Sequence, residues 1–413
     1  MKEEILLNLD NPAKLESLYR QNKSAFKQTF NTLQPELADN DLVRFWNERL
    51  NFSKEEISWG GSKELVFVIV VALIAGAIAK LPQVLSINEE FFYQRNIGFI
   101  IFPALSAYFA WKNKLSAGKI ALITVLMLGG VIFINSLPNA GKSDTTILSC
   151  IHLGLFLWAI SGFVFVGKAT NNQEKRLAYL KYNGDLVVMT GLIVIAGAIM
   201  TGITINLFEL IGINIEEFYF NNIVVFGLPA APIFATYLIQ ANPQLVGKVS
   251  PVIAKIFSPL VLMMLVIYLI AMLYSGKDPY NDRDFLMIFN ALLIGVMAII
   301  FFSVAETKAG KSKPETWILF LLCLITVLVN GIALSAILFR ISEWGITPNR
   351  AAVLGGNVLI LVNLLLVTVQ LFKVISKKTA ISGVGKAIAV YLPVYVIWTL
   401  VVTFIFPLLF SFK

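Results

Sequence analysis

From position 65 onward the chain alternates long apolar runs with short polar breaks. About 20 consecutive apolar residues in a helix cross the roughly 30 Å hydrocarbon layer of a bilayer. Eleven runs qualify as spans, at 65–85, 97–111, 117–137, 147–167, 186–207, 222–239, 252–274, 285–305, 317–339, 351–372 and 388–410. The second is short, and Lys80-Leu-Pro82 sits near the end of the first. Ten-residue strands of alternating polarity, which a membrane barrel needs, are absent. The pattern therefore predicts an all-α, polytopic helical bundle.

Residues 1–62 read differently. Asn11-Pro12 forms a helix start, and Leu15, Leu18, Tyr19, Phe26, Phe30 and Leu33 recur at helical spacing until Pro35. Asp39-Asn40-Asp41 caps a second helix bearing Leu42, Phe45, Trp46 and Leu50. Two short amphipathic helices make a poor independent core, so the segment is expected on the membrane surface, against cytoplasmic loops, or docked to a protein partner. The polar start, MKEEILLNLDNP, shows no cleavable signal.

Two strings repeat. INEEFFYQRNIGFIIFP at 87–103 aligns without a gap with INIEEFYFNNIVVFGLP at 213–229, with eight identities in 17 positions. Ile74-Ala-Gly-Ala-Ile78 recurs as Ile195-Ala-Gly-Ala-Ile199. Four spans separate equivalent points, and an even number preserves orientation. The expectation is a parallel duplication, with copies at 63–168 and 186–306 followed by three further spans at 317–410. In duplicated bundles a site often forms where the copies meet.

Composition agrees: 57% of residues are hydrophobic and 14% charged. The net charge of +8 first suggests nucleic acid, but its distribution points to membrane orientation. With the N-terminus in the cytoplasm, sixteen Lys and Arg fall in cytoplasmic loops and eight outside, with nine more in the N-terminal segment. Acidic residues concentrate outside. The positive-inside rule thus gives a cytoplasmic N-terminus and an extracytoplasmic Lys413, with no nucleic-acid partner.

Candidate chemistry is sparse. Glu89-Glu90 and Glu216-Glu217, each beside a Phe-Tyr pair, form duplicated acidic-aromatic loops. They read either as a cation-attracting vestibule or as interfacial turns anchored by tyrosine. Pro103 and Pro229 match in position, and Pro232 adds a second break. Each frees a backbone carbonyl that either coordinates an ion or merely kinks a helix. His152, the one histidine, is an ionisable group inside a span; it serves function or simply bonds a carbonyl. Glu209 raises the same choice. Asn290, Asn330, Asn357, Asn363 and Gln370 are expected to hold helices together. One histidine with Cys150 and Cys323 cannot assemble a zinc or haem ligand set, and no nucleotide or hydrolase motif is present. No cofactor, metal or catalytic role is expected.

The most distinctive string, Leu338-Phe-Arg-Ile-Ser-Glu-Trp-Gly-Ile-Thr-Pro-Asn-Arg350, joins spans nine and ten. Gly345 permits a turn, and Thr347 or Asn349 can cap the next helix. Arg340 and Arg350 run against the orientation rule, so Glu343 is expected to pair with one of them, with Trp344 at the interface. This string resembles an Arg-Ile-x-x-Tyr-Gly-Leu-Thr-x-x-Arg motif of an uncharacterised bacterial membrane family, the domain of unknown function numbered forty-one fifty-three. Trp344 stands for its tyrosine and Ile346 for its leucine. The resemblance covers about residues 60–410 and implies a bacterial inner membrane, but no activity. Two functions lead: a permease-like bundle moving a small solute or ion, and a non-transporting scaffold or sensor acting through the N-terminal helices; a membrane enzyme ranks third, for lack of a catalytic cluster.

Overall fold

A computed structural model describes residues 2–33, 41–51, 61–138, 143–167, 172–210, 213–243, 258–263, 265–267, 269–270, 283–305 and 313–412. Among these there is no strand. The chain divides into two units, 1–58 and 59–413.

The N-terminal unit contains α1 (Lys2–Leu7), α2 (Pro12–Gln21), α3 (Lys23–Leu33) and α4 (Asp41–Asn51). Asn11 caps α2 as expected, accepting from the Lys14 amide at 3.1 Å, with Pro12 in the first turn. The single run expected before Pro35 is instead two helices. Asn22 ends α2 and accepts from the Ala25 amide at 3.1 Å. This small unit does have a core of its own, contrary to expectation. Ile5, Leu15, Leu18, Phe26, Phe30, Leu33, Val43, Trp46 and Leu50 bury together. The apolar face of α4 is Val43, Trp46 and Leu50, while Phe45 is 62% exposed. Arg49 closes the core, 4.6 Å above the Trp46 ring and 2.8 Å from the Glu16 carboxylate.

The larger unit begins with α5 (Ser62–Leu85), α6 (Glu89–Lys112), α7 (Ala117–Ser136) and α8 (Asp144–Val166). There follow α9 (Gln173–Leu210), α10 (Glu216–Ala241), a shorter apolar helix α11 (Ser258–Ile267) and α12 (Arg283–Ala305). The last three are α13 (Lys313–Trp344), α14 (Pro348–Ile375) and α15 (Ser382–Leu409). Among the described residues, eight of these helices are long and apolar enough to cross a membrane: α5, α7, α8, α9, α10, α13, α14 and α15. The chain is a multi-pass membrane protein by that measure. The predicted seventh span, 252–274, lies largely outside the described residues.

Several helices outrun the apolar runs that announced them. The second starts at Glu89, since Asn88 caps it by accepting from Phe91 N at 2.8 Å, so it is not short. The 38 residues of α9 extend about 57 Å at 1.5 Å per residue, well beyond an apolar span, because Gln173–Asp185 continues the same helix. The ninth predicted span closes at Trp344, not 339. Two wider turns interrupt α10 at Phe220–Val224 and α15 at Val401–Ile405.

Two apolar cores organise the unit. One gathers α5 to α8, α10 and part of α9; the other gathers α12 to α15 with Leu180 of α9. α6 lies along α8, whereas α10 lies mainly along α5 and α9.

Candidate functional site

The residues proposed from sequence are dispersed, and most have local structural work. His152 is half-buried in α8, with Nδ1 2.9 Å from the Leu148 carbonyl one turn earlier. Glu90 and Glu216 sit exposed in the first turns of α6 and α10, where a carboxylate complements the positive end of the helix dipole. The matched strings do share local chemistry. Asn96 and Asn222 each donate to the carbonyl four residues back, Phe92 at 3.1 Å and Phe218 at 2.8 Å. Glu209 is exposed near the end of α9.

The connection 340–350 differs from expectation in its pairing. The turn comprises only Gly345, Ile346 and Thr347, and Gly345 adopts φ +73°, a left-handed conformation that ends α13. Thr347 caps α14 by accepting from the Arg350 amide at 3.3 Å, with Pro348 in the first turn. Glu343 is exposed, and among the described residues no ion pair joins it to Arg340 or Arg350. The arginines flank Trp344 instead, with guanidinium carbons 5.2 and 5.6 Å from its ring centre. Arg350 also donates to the carbonyls of Trp344 at 2.9 Å and Gly345 at 2.6 Å. Those carbonyls have no helical N–H to take, so a cation there satisfies both hydrogen bonding and dipole.

Arg95 repeats that device. It is 5% exposed in α6 and donates to Ile134, Leu137 and Pro138 at the end of α7, the latter two at 3.2 and 3.3 Å. Lys80 of α5 donates to Asn222 of α10, and Gln83 to Asn221 at 3.0 Å. These contacts fall on the wide turn of α10, at Phe220–Val224. Thus Lys80, Arg95 and Arg350, three cations that the expected orientation would put outside, donate to protein groups, while Arg340 meets only the Trp344 ring.

Two proline-freed carbonyls are answered by side chains, though neither belongs to Pro103, Pro229 or Pro232. Pro407 has no N–H for the Thr403 carbonyl, which accepts from Ser149 Oγ of α8 at 2.9 Å. Pro393 likewise frees the Ala389 carbonyl, which accepts from Arg176 at 3.4 Å.

Sequence reasoning missed two acidic positions. Glu64 of α5 accepts from Tyr108 Oη at 2.6 Å and Lys112 Nζ at 3.2 Å, forming a polar cluster at one end of α5 and α6. Asp185 of α9 is 6% exposed, and its Oδ1 has no hydrogen-bond partner. Asparagines supply a third polar group. Asn357 donates to Asn290 at 2.7 Å, Asn330 to the Asn357 carbonyl at 3.2 Å, and Asn363 to Tyr395 Oη at 3.1 Å. Asn330 and Asn363 are fully buried, yet the Oδ1 of each is unpartnered. Both cysteines are unpaired, and no group of three metal-binding side chains forms among the described residues.

Compared with known proteins, the chain matches no family model, no curated protein and no solved structure.

Proposed function

We propose that the membrane unit is a permease-like bundle that passes a small polar solute or ion between its helices. The observation supporting this is the set of buried oxygen acceptors without donors, Asp185, Asn330 and Asn363, within the helical unit. An unpaired polar group buried in low dielectric costs about 1–3 kcal/mol, so such positions persist where a mobile donor, water or cation visits them. On this reading the chain has eleven spans, a cytoplasmic N-terminus and a parallel duplication, and lies in a bacterial inner membrane as a relative of the family that the 340–350 string resembles.

The test is thiol accessibility. In a chain carrying Cys150→Ser and Cys323→Ser, Asn330→Cys and Asn363→Cys should react with a small water-borne methanethiosulfonate in native membranes. If neither reacts while Glu343→Cys does, no aqueous path reaches these residues and the permease reading fails.

A scaffold or sensor role is the second reading. It is favoured by the separate core of residues 2–51 and by the exposed Leu7 and Phe45 on its surface, which suit a protein partner.

A further inference from the structure

Among the described residues, Arg340 is a guanidinium without a counter-group. It has no hydrogen-bond or ion-pair partner among them; its one engagement is the Trp344 ring at 5.2 Å. A guanidinium does not shed its proton in a protein and carries five N–H donors in a planar fork. Around it the surface is apolar. Leu338, Phe339, Trp344 and Ile346 are all substantially exposed, and Phe339 meets Trp344 edge-on at 6.3 Å. The nearest carboxylate in sequence, Glu343, is exposed and makes no ion pair among the described residues. Arg350 adds a second cation over the same ring, but its Nη1 is already committed to the end of α13.

Placement supplies the missing partner. These residues close a 32-residue apolar helix and open the next, so the patch falls where a membrane-length helix meets the headgroups. The anion abundant at that depth is a phosphodiester, which matches the arginine fork in shape and charge. Trp344 provides the amphipathic ring favoured at that depth. Because two cations share the patch, a lipid with an uncompensated phosphate fits better than one carrying its own ammonium.

We propose that Arg340, with Trp344 and the second cation of Arg350, binds the headgroup phosphate of an anionic phospholipid. This does not rest on the permease reading, and it holds for either orientation of the chain.

The full-length protein in detergent is titrated with phosphatidylglycerol or phosphatidylcholine, and its thermal unfolding midpoint is followed. Phosphatidylglycerol should raise the midpoint more than phosphatidylcholine. Arg340→Gln should weaken that response about tenfold in lipid concentration, while Arg340→Lys keeps part of it. An unchanged phosphatidylglycerol response in Arg340→Gln, or equal responses to the two lipids in the parent chain, overturns the proposal. If Arg340→Gln does not fold, brominated lipids decide. The tryptophan quenching lost on Trp344→Phe should be greater with brominated phosphatidylglycerol than with brominated phosphatidylcholine, and equal losses overturn it.

Discussion

Ser149→Ala should destabilise the membrane unit through a carbonyl two hundred and fifty-four residues away. Ser149 is fully buried on α8, and its hydroxyl lies 2.9 Å from the Thr403 carbonyl on α15. Pro407 cannot supply the N–H that this carbonyl would take in a regular helix. Thr403 is itself fully buried with an unpartnered hydroxyl, so losing Ser149 takes a donor from a site that already has a polar atom unsatisfied. Stranding a buried acceptor costs about 1–3 kcal/mol in soluble proteins, and interhelical hydrogen bonds in membranes average about 0.6 kcal/mol with a maximum near 1.7. The expected loss is therefore about 1–2 kcal/mol, or a few degrees in the unfolding midpoint. Thermal unfolding by tryptophan fluorescence measures it. Thr124→Ala is the matched control. Its hydroxyl also bonds a carbonyl, Ile120 at 2.9 Å, but on an exposed face. It should change stability by less than about 0.5 kcal/mol. Equal effects of the two substitutions would refute the reasoning. The sharper check is a double-mutant cycle, since Pro407→Ala restores an N–H. If the cost of Ser149→Ala is as large in that background, Ser149 is not replacing the missing donor.

Arg95→Gln removes the cation that binds three carbonyls at the end of α7. The expected cost is about 2–4 kcal/mol, measured by denaturant unfolding in micelles, and a loss under about 0.5 kcal/mol would count against the capping role. A reporter fused after Lys413 should be active only on the extracytoplasmic side; cytoplasmic activity would reverse the proposed orientation. In the N-terminal unit, the hydrogen bond from Arg20 holds the Glu16 carboxyl below its usual value, and Arg49 adds to this. A depressed folded-state value stabilises above the unfolded-state value and is lost as the pH falls through the folded one. Glu16→Gln should therefore speed amide exchange in α2 and α4 at pH 7, and the difference should vanish as the carboxylates protonate. A difference independent of pH would exclude the charge as its cause.

Apolar runs reveal spans because bilayer thickness imposes a length on them. They say little about where each helix ends. A helix continues past its apolar stretch whenever backbone bonds and caps allow, as Asn88 does for α6. Asp185 was passed over for this reason: it stood just outside the predicted span 186–207, although α9 runs unbroken from Gln173. The misplaced Glu343 pairing has the same origin. With the helix taken to end at 339, residues 340–350 form a loop in which the nearest charge is the natural partner. With α13 continuing to Trp344, positions 340 and 344 lie one turn apart on a helix, and Arg340 meets the ring, leaving Glu343 exposed. Gly345 and Thr347 were legible because their roles depend only on neighbours in sequence. The Arg95 and Ser149 contacts were not, because each joins different helices. The core of residues 2–51 needed α1 and the true face of α4, and Val43 rather than Phe45 fills it because helix pairing, not hydrophobicity alone, selects the face.

The repeated Ile-Ala-Gly-Ala-Ile string carries that lesson to a final test. In α5, Ala75 and Gly76 are buried, and a Cβ added at Gly76 would lie 2.2 Å from the Phe226 ring of α10. In α9 the same five residues are exposed, and a Cβ added at Gly197 would meet nothing within 4 Å. Lipid tails are as apolar as leucine, so hydropathy scores both copies alike. What differs is the ring that arrives from α10. Gly76→Ala should force Phe226 and the α5–α10 contact apart, at about 1–3 kcal/mol. Gly197→Ala should be neutral or mildly stabilising, because alanine favours the helix and displaces no neighbour. Unfolding midpoints of the two variants, measured side by side, decide the matter. If both behave alike, the two copies share one packing environment and the asymmetry described for them is wrong.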